Sequence, residues 1–478
     1  MSDLAITAVG AYAPRLRIAA DEFAEAWGRF EASGIERKAV PEADEDTLTM
    51  AAAAAKRALE AAGLDGEALA ALSFATTTPP LAEEELVVRL GSMLGAPGTA
   101  SHRQFTGSTR AGTRGLVAAL DAEQTPALVV AADCPRADPP DEREHAGGAG
   151  GAAFLMEDGA DGAVVTAQGE YVTPRPGERF RETGDTRVRG LGVTNYDRAA
   201  FRDALAGAAA DAGIEDPDVS AAAVQAPDGK RPYRAAGPLG VDGERIKACA
   251  TVHDLGDTGA ASVPLSVARA LADGHDSVLA AAYGSGAGAE VLRIEGRDHV
   301  ATDLALDGAV DLSYAEYLRR RGDLGGEEPE GGGAYVSVPT WERSLPQRHR
   351  LVAGRCSECG ALAFPPEGAC TNCGSLVDYE RVRLPGGGTV EAVTRIGRGG
   401  APPEFATQQI RSGAFGVAIV AFDGPGGGSV SAPMQVTDHD PEADGELSVG
   451  DRVQVVVRRI YTQEGVTRYG GKVRPAGE

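Results

Sequence analysis

Residues 107–120 read GSTRAGTRGLVAAL, a glycine turn that runs into small residues at helical spacing. Residues 256–271, GDTGAASVPLSVARAL, repeat that pattern. Each is followed by a short polar loop and an apolar run, PALVVAAD (126–133) and DSVLAAAYGSG (276–286). The similarity extends upstream, where TMAAAAAKRALEAAGLDGEALAALSFATT (49–77) pairs with FRDALAGAAADAGIEDPDVSAAAVQAP (201–227). In both, a helix ends near glycine and leads through acidic residues into a strand. Two such pairs in the same order imply an α/β core duplicated at about 150 residues per half. The expected halves are 1–165 and 166–310. The two small-residue helices, expected to begin at residues 108 and 258, should lie centrally between sheets, where glycine and alanine allow close approach.

The chain has 478 residues, too many for one core, and two to four domains are expected. Its formal charge is −24, and only five of its 46 basic residues are lysine. An acid-rich, lysine-poor surface suits a halophilic, salt-filled cytoplasm, and high-GC codon usage gives the same lysine scarcity. The opening MSDLAITAVGAYAPRL lacks a basic segment followed by an apolar one, so no signal peptide is expected. No apolar run reaches the roughly 18 residues of a membrane span. The expected location is cytoplasmic.

Beyond residue 310 the pattern changes. Residues 311–324 have helical spacing, and GGEEPEGGG (325–333) reads as a flexible linker within 311–339. Cys356-x-x-Cys359 and Cys370-x-x-Cys373 then flank ten residues, and each pair is followed by glycine. Four thiolates on two knuckles match tetrahedral zinc with no open coordination position, which makes the metal structural. The expected ribbon covers 340–375. Five strand-like runs follow in 376–478: VDYERVRL, TVEAVTRI, FGVAIVAF, SVSAPMQV and DRVQVVVRRIYT. Broken by Gly/Pro turns, they suggest a small barrel.

The duplicated core resembles the thiolase superfamily, and its residue matches favour the hydroxymethylglutaryl-CoA synthase branch. Residues 45–64, the strand ALVVAADCPR with the glycine-rich GGAGGAAFLMEDG (147–159), VQAPDGKRP (224–232) and YGSGAGAE (283–290) carry the resemblance. GDTGAASVPLSVARAL resembles the asparagine-bearing turn shared with ketoacyl synthase III. The C-terminal order of ribbon and barrel resembles zinc-ribbon/OB-fold proteins that partner thiolases and related acyl-CoA enzymes.

The resemblance implies a nucleophilic cysteine at the first glycine turn, where this chain has Ser108 and Thr109. A cysteine there is sharpened by the helix dipole and a neighbouring base. An alcohol starts many pKa units higher and needs an adjacent base instead. The family's histidine falls at Val224 or Gln225 depending on register, and Gln225 can still donate a hydrogen bond. The family's glutamate position is placed at Thr77, and its asparagine becomes Asp257, an anion unsuited to an oxyanion site unless protonated.

Cys134 and Cys249 read as small core residues. His253 precedes the second turn and reads as a structural histidine or a relocated base. Tyr283 is a second relocated candidate, because some thiolase-fold lyases without the cysteine use tyrosines for retro-aldol cleavage. Lys230 and Arg231 stand where the family contacts CoA phosphates. The resemblance therefore implies an acyl-CoA-binding protein that acts as a scaffold or partner subunit. Its partners would be a CoA thioester and either a second copy or a thiolase-type enzyme. The alternative is a cysteine-independent lyase or acyltransferase. Nucleic acid is the third reading, and the charge balance disfavours it. Residues 340–478 hold 15 Lys+Arg against 16 Asp+Glu, with few aromatics on the strands.

Overall fold

The computed structural model describes residues 4–159, 161–296, 299–324, 336–397, 399, 401–442, 444–445 and 447–477. The expected linker at 325–333 lies outside them. The chain divides into two compact units. One comprises Met1–Pro41 and Asp46–Tyr317, the other Glu42–Glu45 and Leu318–Glu478.

In the first unit, β1 (Leu4–Tyr12) leads to helix α1 (Thr47–Ala62). Asp46 caps α1 by accepting from the Leu48 and Thr49 amides, while the Thr49 hydroxyl accepts from the Asp46 amide. Strands β2 (Ala71–Ala75) and β3 (Ser101–Phe105) precede helix α2 (Ala111–Ala122), which is followed by β4 (Ala127–Asp133) and β5 (Gly150–Asp158). The second half runs β6 (Ala163–Arg175), α3 (Thr194–Asp211), β7 (Ala221–Val224), α4 (Ser262–Ala272), β8 (Ser277–Gly284) and β9 (Gly286–Gly296).

The strand order is β3-β2-β4-β5-β1-β6-β9-β8-β7, with Ala301–Ala305 (β10) added beside β1. The duplication is visible in the pairing. β1–β5 and β5–β4 are antiparallel and β4–β2 is parallel. In the second half, β6–β9 and β9–β8 are antiparallel and β8–β7 is parallel. The halves join where Ala5 pairs Val164 and Ile6 pairs Ala163.

Helices α2 and α4 are central, as their composition requires. A Cβ on Gly112 would lie 2.4 Å from the Ala260 carbonyl oxygen and 2.7 Å from Pro264 Cγ, so only glycine permits this approach. Both helices start later than residues 108 and 258. The first glycine turn runs on to Arg110 before α2 begins. A short 3₁₀ turn, Gly259–Ala261, precedes α4. Thr109 is therefore a turn residue.

The second unit holds helix α5 (Val338–Arg350) and the ribbon sheet β12-β11-β13, from β11 (Val352–Arg355), β12 (Leu362–Ala363) and β13 (Glu380–Arg383). The run VDYERVRL was expected in the barrel. Its ordered part, β13, pairs with β11 in the ribbon instead. The barrel strands are β14 (Gly387–Ile396), β15 (Phe415–Asp423), β16 (Ser429–Gln435), β17 (Arg452–Gln463) and β18 (Val466–Pro475). Their order is β16-β15-β14-β17-β18, and a Val436–Val473 bridge brings the two edges together, nearly closing the barrel. The expected helix at 311–324 is observed as Tyr314–Arg321.

Buried charge packs among the apolar barrel residues. Lys472 Nζ lies 2.8 Å from Asp44 Oδ2, and Arg458 meets Glu45 at 3.1 Å and Asp438 at 2.9 Å. Asp44 also accepts from the Thr437 hydroxyl at 2.9 Å. Burial alone raises the Asp44 carboxyl pKa, but Lys472 and Arg458 bring it below its ordinary value.

Candidate functional site

A cavity of about 310 Å³ opens in the first unit, with Thr109, Gln225, Tyr283, Lys230 and Arg231 among its lining. The two glycine turns and the strand ends beside them place these groups together. Thr109 is 7% exposed, and its hydroxyl donates to the Tyr283 main-chain carbonyl at 2.7 Å. The hydroxyl is thus committed to a carbonyl rather than held by a base. Gln225 follows the last residue of β7, and its Nε2 donates to the Gly259 carbonyl at 2.9 Å. Of the two register options, Gln225 lines the cavity, while Val224 packs in the core cluster with Leu279 and Val291.

The cavity also contains groups the sequence did not single out. The Tyr283 hydroxyl donates to the Glu178 carboxylate, which lies 3.8 Å from Arg231. Burial raises the Glu178 carboxyl pKa above its ordinary range. It also raises the Tyr283 phenol, reinforced by the Glu178 charge. Asp197 lines the same cavity, is 6% exposed and is raised by burial against the opposing pull of Arg231 and Arg143. Arg198, Lys230 and Arg234 add exposed cations to the lining. Glu178 comes from PGERFRETGDTRVRGLG (176–192), which reads as a polar loop with no motif; only its density of charge was a signal.

Three expected residues lie outside the cavity lining. Thr77 donates its hydroxyl to Asp133 Oδ2 at 2.6 Å, and Asp133 also accepts from Thr76, Thr78 and the Ala260 amide. Asp257 is 2% exposed and ion-paired with Arg179, and its Oδ1 accepts from the Gly259 amide at 2.9 Å. The Arg179 guanidinium stands against this buried carboxylate as its counter-charge. His253 bonds the Tyr233 hydroxyl at 2.7 Å and the Gly34 carbonyl, a structural seat outside the cavity lining. Cys249 is fully buried, and burial pushes its thiol up to about 12; Cys134 reaches about 12 for the same reason, helped by Asp133.

In the second unit, Cys356, Cys359, Cys370 and Cys373 bring their sulfurs within 4.8 Å of one another. Cys356–Cys373 and Cys359–Cys370 are 3.8 and 3.7 Å apart. Four thiolates at the usual Zn–S length of about 2.3 Å give tetrahedral edges of about 3.8 Å, so the donor set fits zinc.

Residues 343–380 match the family model of the ChsH2 rubredoxin-like zinc ribbon domain. The chain is similar to hydroxymethylglutaryl-CoA synthases. With that of Methanocella arvoryzae it shares 31% identity over 346 residues, 67% of this chain and 98% of that protein. The chain belongs to the hydroxymethylglutaryl-CoA synthase family. The Pyrococcus furiosus synthase is 30% identical over 334 residues, 67% of this chain and 93% of the relative. Among solved structures, a hydroxymethylglutaryl-CoA synthase complexed with CoA superimposes with a TM-score of 0.61 at 19% identity, covering 70% of this chain and 95% of that one. The 3-oxoacyl-[acyl-carrier-protein] synthase III of Aquifex aeolicus gives 0.54 at 20% identity, covering 61% and 99%. These two likenesses establish the thiolase-type fold of this family member.

Proposed function

We propose that this family member binds an acyl-CoA thioester in the cavity without forming an acyl-enzyme, and serves as a scaffold or partner subunit beside a thiolase-type enzyme. The catalytic set is replaced at Thr109, Gln225, Asp257 and Thr77. One observation carries the reading: the Thr109 hydroxyl donates to the Tyr283 main-chain carbonyl, and among the described residues no side-chain base hydrogen-bonds to it. Lys230 and Arg231, joined by Arg198 and Arg234, suit the CoA phosphates. The nearly closed barrel is read as an OB-type module and its ribbon as a structural zinc site. Among the described residues, no helix is long and apolar enough to cross a membrane.

Incubation with acetyl-CoA should leave the intact protein mass unchanged while calorimetry reports saturable CoA binding. An acylated mass overturns the reading, and so does the absence of binding.

The Tyr283–Glu178 hydrogen bond favours a second reading, a cysteine-independent lyase in which this pair moves the proton. Turnover of hydroxyacyl-CoAs that disappears in Tyr283→Phe would displace the scaffold reading.

A further inference from the structure

We propose that Arg179 receives the thioester carbonyl oxygen of the ligand in this cavity. The proposal rests on the acyl-CoA reading above and assigns the residue that grips the acyl end. Arg179 lines the cavity, and its side chain is 16% exposed. One Nη of its guanidinium is held by Asp257, which lies outside the lining and is itself fixed by the Gly259 amide. Among the described residues nothing else bonds the guanidinium, and none of its nitrogens is both sealed from solvent and unpaired. The remaining N–H groups therefore open on the space that the residue lines.

The cation is anchored. Burial alone lowers its pKa, but the Asp257 charge and hydrogen bond raise it above the ordinary arginine value. A guanidinium is a rigid planar fork, so pinning one nitrogen fixes the direction of the others. Its surroundings decide what it can take. Arg198, Lys230 and Arg234 are exposed and suit phosphates at the solvent side, whereas Thr109 and Gln225, 7% and 3% exposed, mark the inner side. Arg179 belongs to the inner side, because its anchor Asp257 bonds the amide of Gly259 while Gln225 bonds the carbonyl of the same residue. There the Thr109 and Tyr283 hydroxyls have already given their protons, to the Tyr283 carbonyl and the Glu178 carboxylate. Every acyl-CoA brings one acceptor to that end, the thioester carbonyl, and a charged donor binds it more strongly than a neutral one.

Calorimetry on the full-length, zinc-loaded protein should compare CoA, acetyl-CoA and S-ethyl-CoA, a thioether without the carbonyl. Acetyl-CoA should bind about tenfold tighter than S-ethyl-CoA. Infrared difference spectra of acetyl-CoA isotope-labelled at the carbonyl carbon should place that band at lower wavenumber in the bound state. Arg179→Met combined with Asp257→Asn removes the cation without stranding a buried charge, and should abolish both the preference and the band shift. Arg179→Lys keeps a counter-charge for Asp257 but not the planar fork, and should shrink both. Thermal melts identify the variants that fold. Equal affinity of the wild type for acetyl-CoA and S-ethyl-CoA, or an unshifted carbonyl band, overturns the Arg179 proposal and leaves the acyl-CoA reading standing. A preference undiminished in the folded variants also overturns it. Failure of both CoA and acetyl-CoA to bind overturns the acyl-CoA reading itself, and the assignment with it.

Discussion

Glu178 sets the pH behaviour expected of the cavity. Its folded carboxyl pKa lies above the unfolded value because burial disfavours the anion. Folding therefore favours the protonated form, and the cost of the charge appears as pH rises from the unfolded pKa of about 4.3 through the folded one. Relative to wild type, Glu178→Gln should gain stability between pH 4 and pH 8, as read by urea unfolding at both. A gain that shrinks with rising pH would contradict the assignment. Cys134 and Cys249, both near 12, should resist iodoacetamide at pH 8 until the protein is unfolded; labelling of the native protein would contradict this. Thr109, Gln225 and Tyr283 were legible because they stand in motif segments whose order the chain keeps. Glu178 and Asp197 were not, because their role comes from burial beside a cavity and no spacing rule encodes that.

Elements were more legible than single groups. Helix α1 ends before Gly63, as its segment reads, and the two half-cores repeat in the order the sequence shows. The later start of α2 and α4 was hidden, because residues 108–110 (Ser, Thr, Arg) and 258–261 (Thr, Gly, Ala, Ala) contain no proline to mark where each helix begins. Strand β18 was missed because VTRYGGKVRP carries a Gly-Gly pair and ends in proline. It is held by the hairpin through Glu464 and Gly465, both at positive φ (51° and 76°). The contact between the central helices gives a direct test. Gly112→Ala should cost about 1–3 kcal/mol in chemical denaturation, since the added carbon meets main chain and a proline ring. In the ribbon, metal analysis should find one zinc per chain, lost in Cys356→Ser with unfolding of that sheet.

At the scale of the whole molecule, the charge-rich interior of the second unit matters most. Lys472 and Arg458 are 0% and 1% exposed, beside Asp44, Glu45 and Asp438. Lys472→Met should destabilise this unit by about 3 kcal/mol in denaturant titrations, because it removes one of the two cations that hold the buried Asp44. A neutral result would mean that the cluster is hydrated. Nothing in the sequence linked residues more than 400 positions apart, since ion pairing between distant segments leaves no periodic trace.

That cluster also makes the second unit discontinuous. Residues 42–45 leave the ribosome long before residue 318, yet they carry the counter-charges that Lys472 and Arg458 require. A clone beginning at residue 318 would encode every strand of the barrel and still omit Asp44 and Glu45. Such a fragment would bury cations with no anion from that segment, and a synthetic peptide spanning 42–45 should restore its folding in trans.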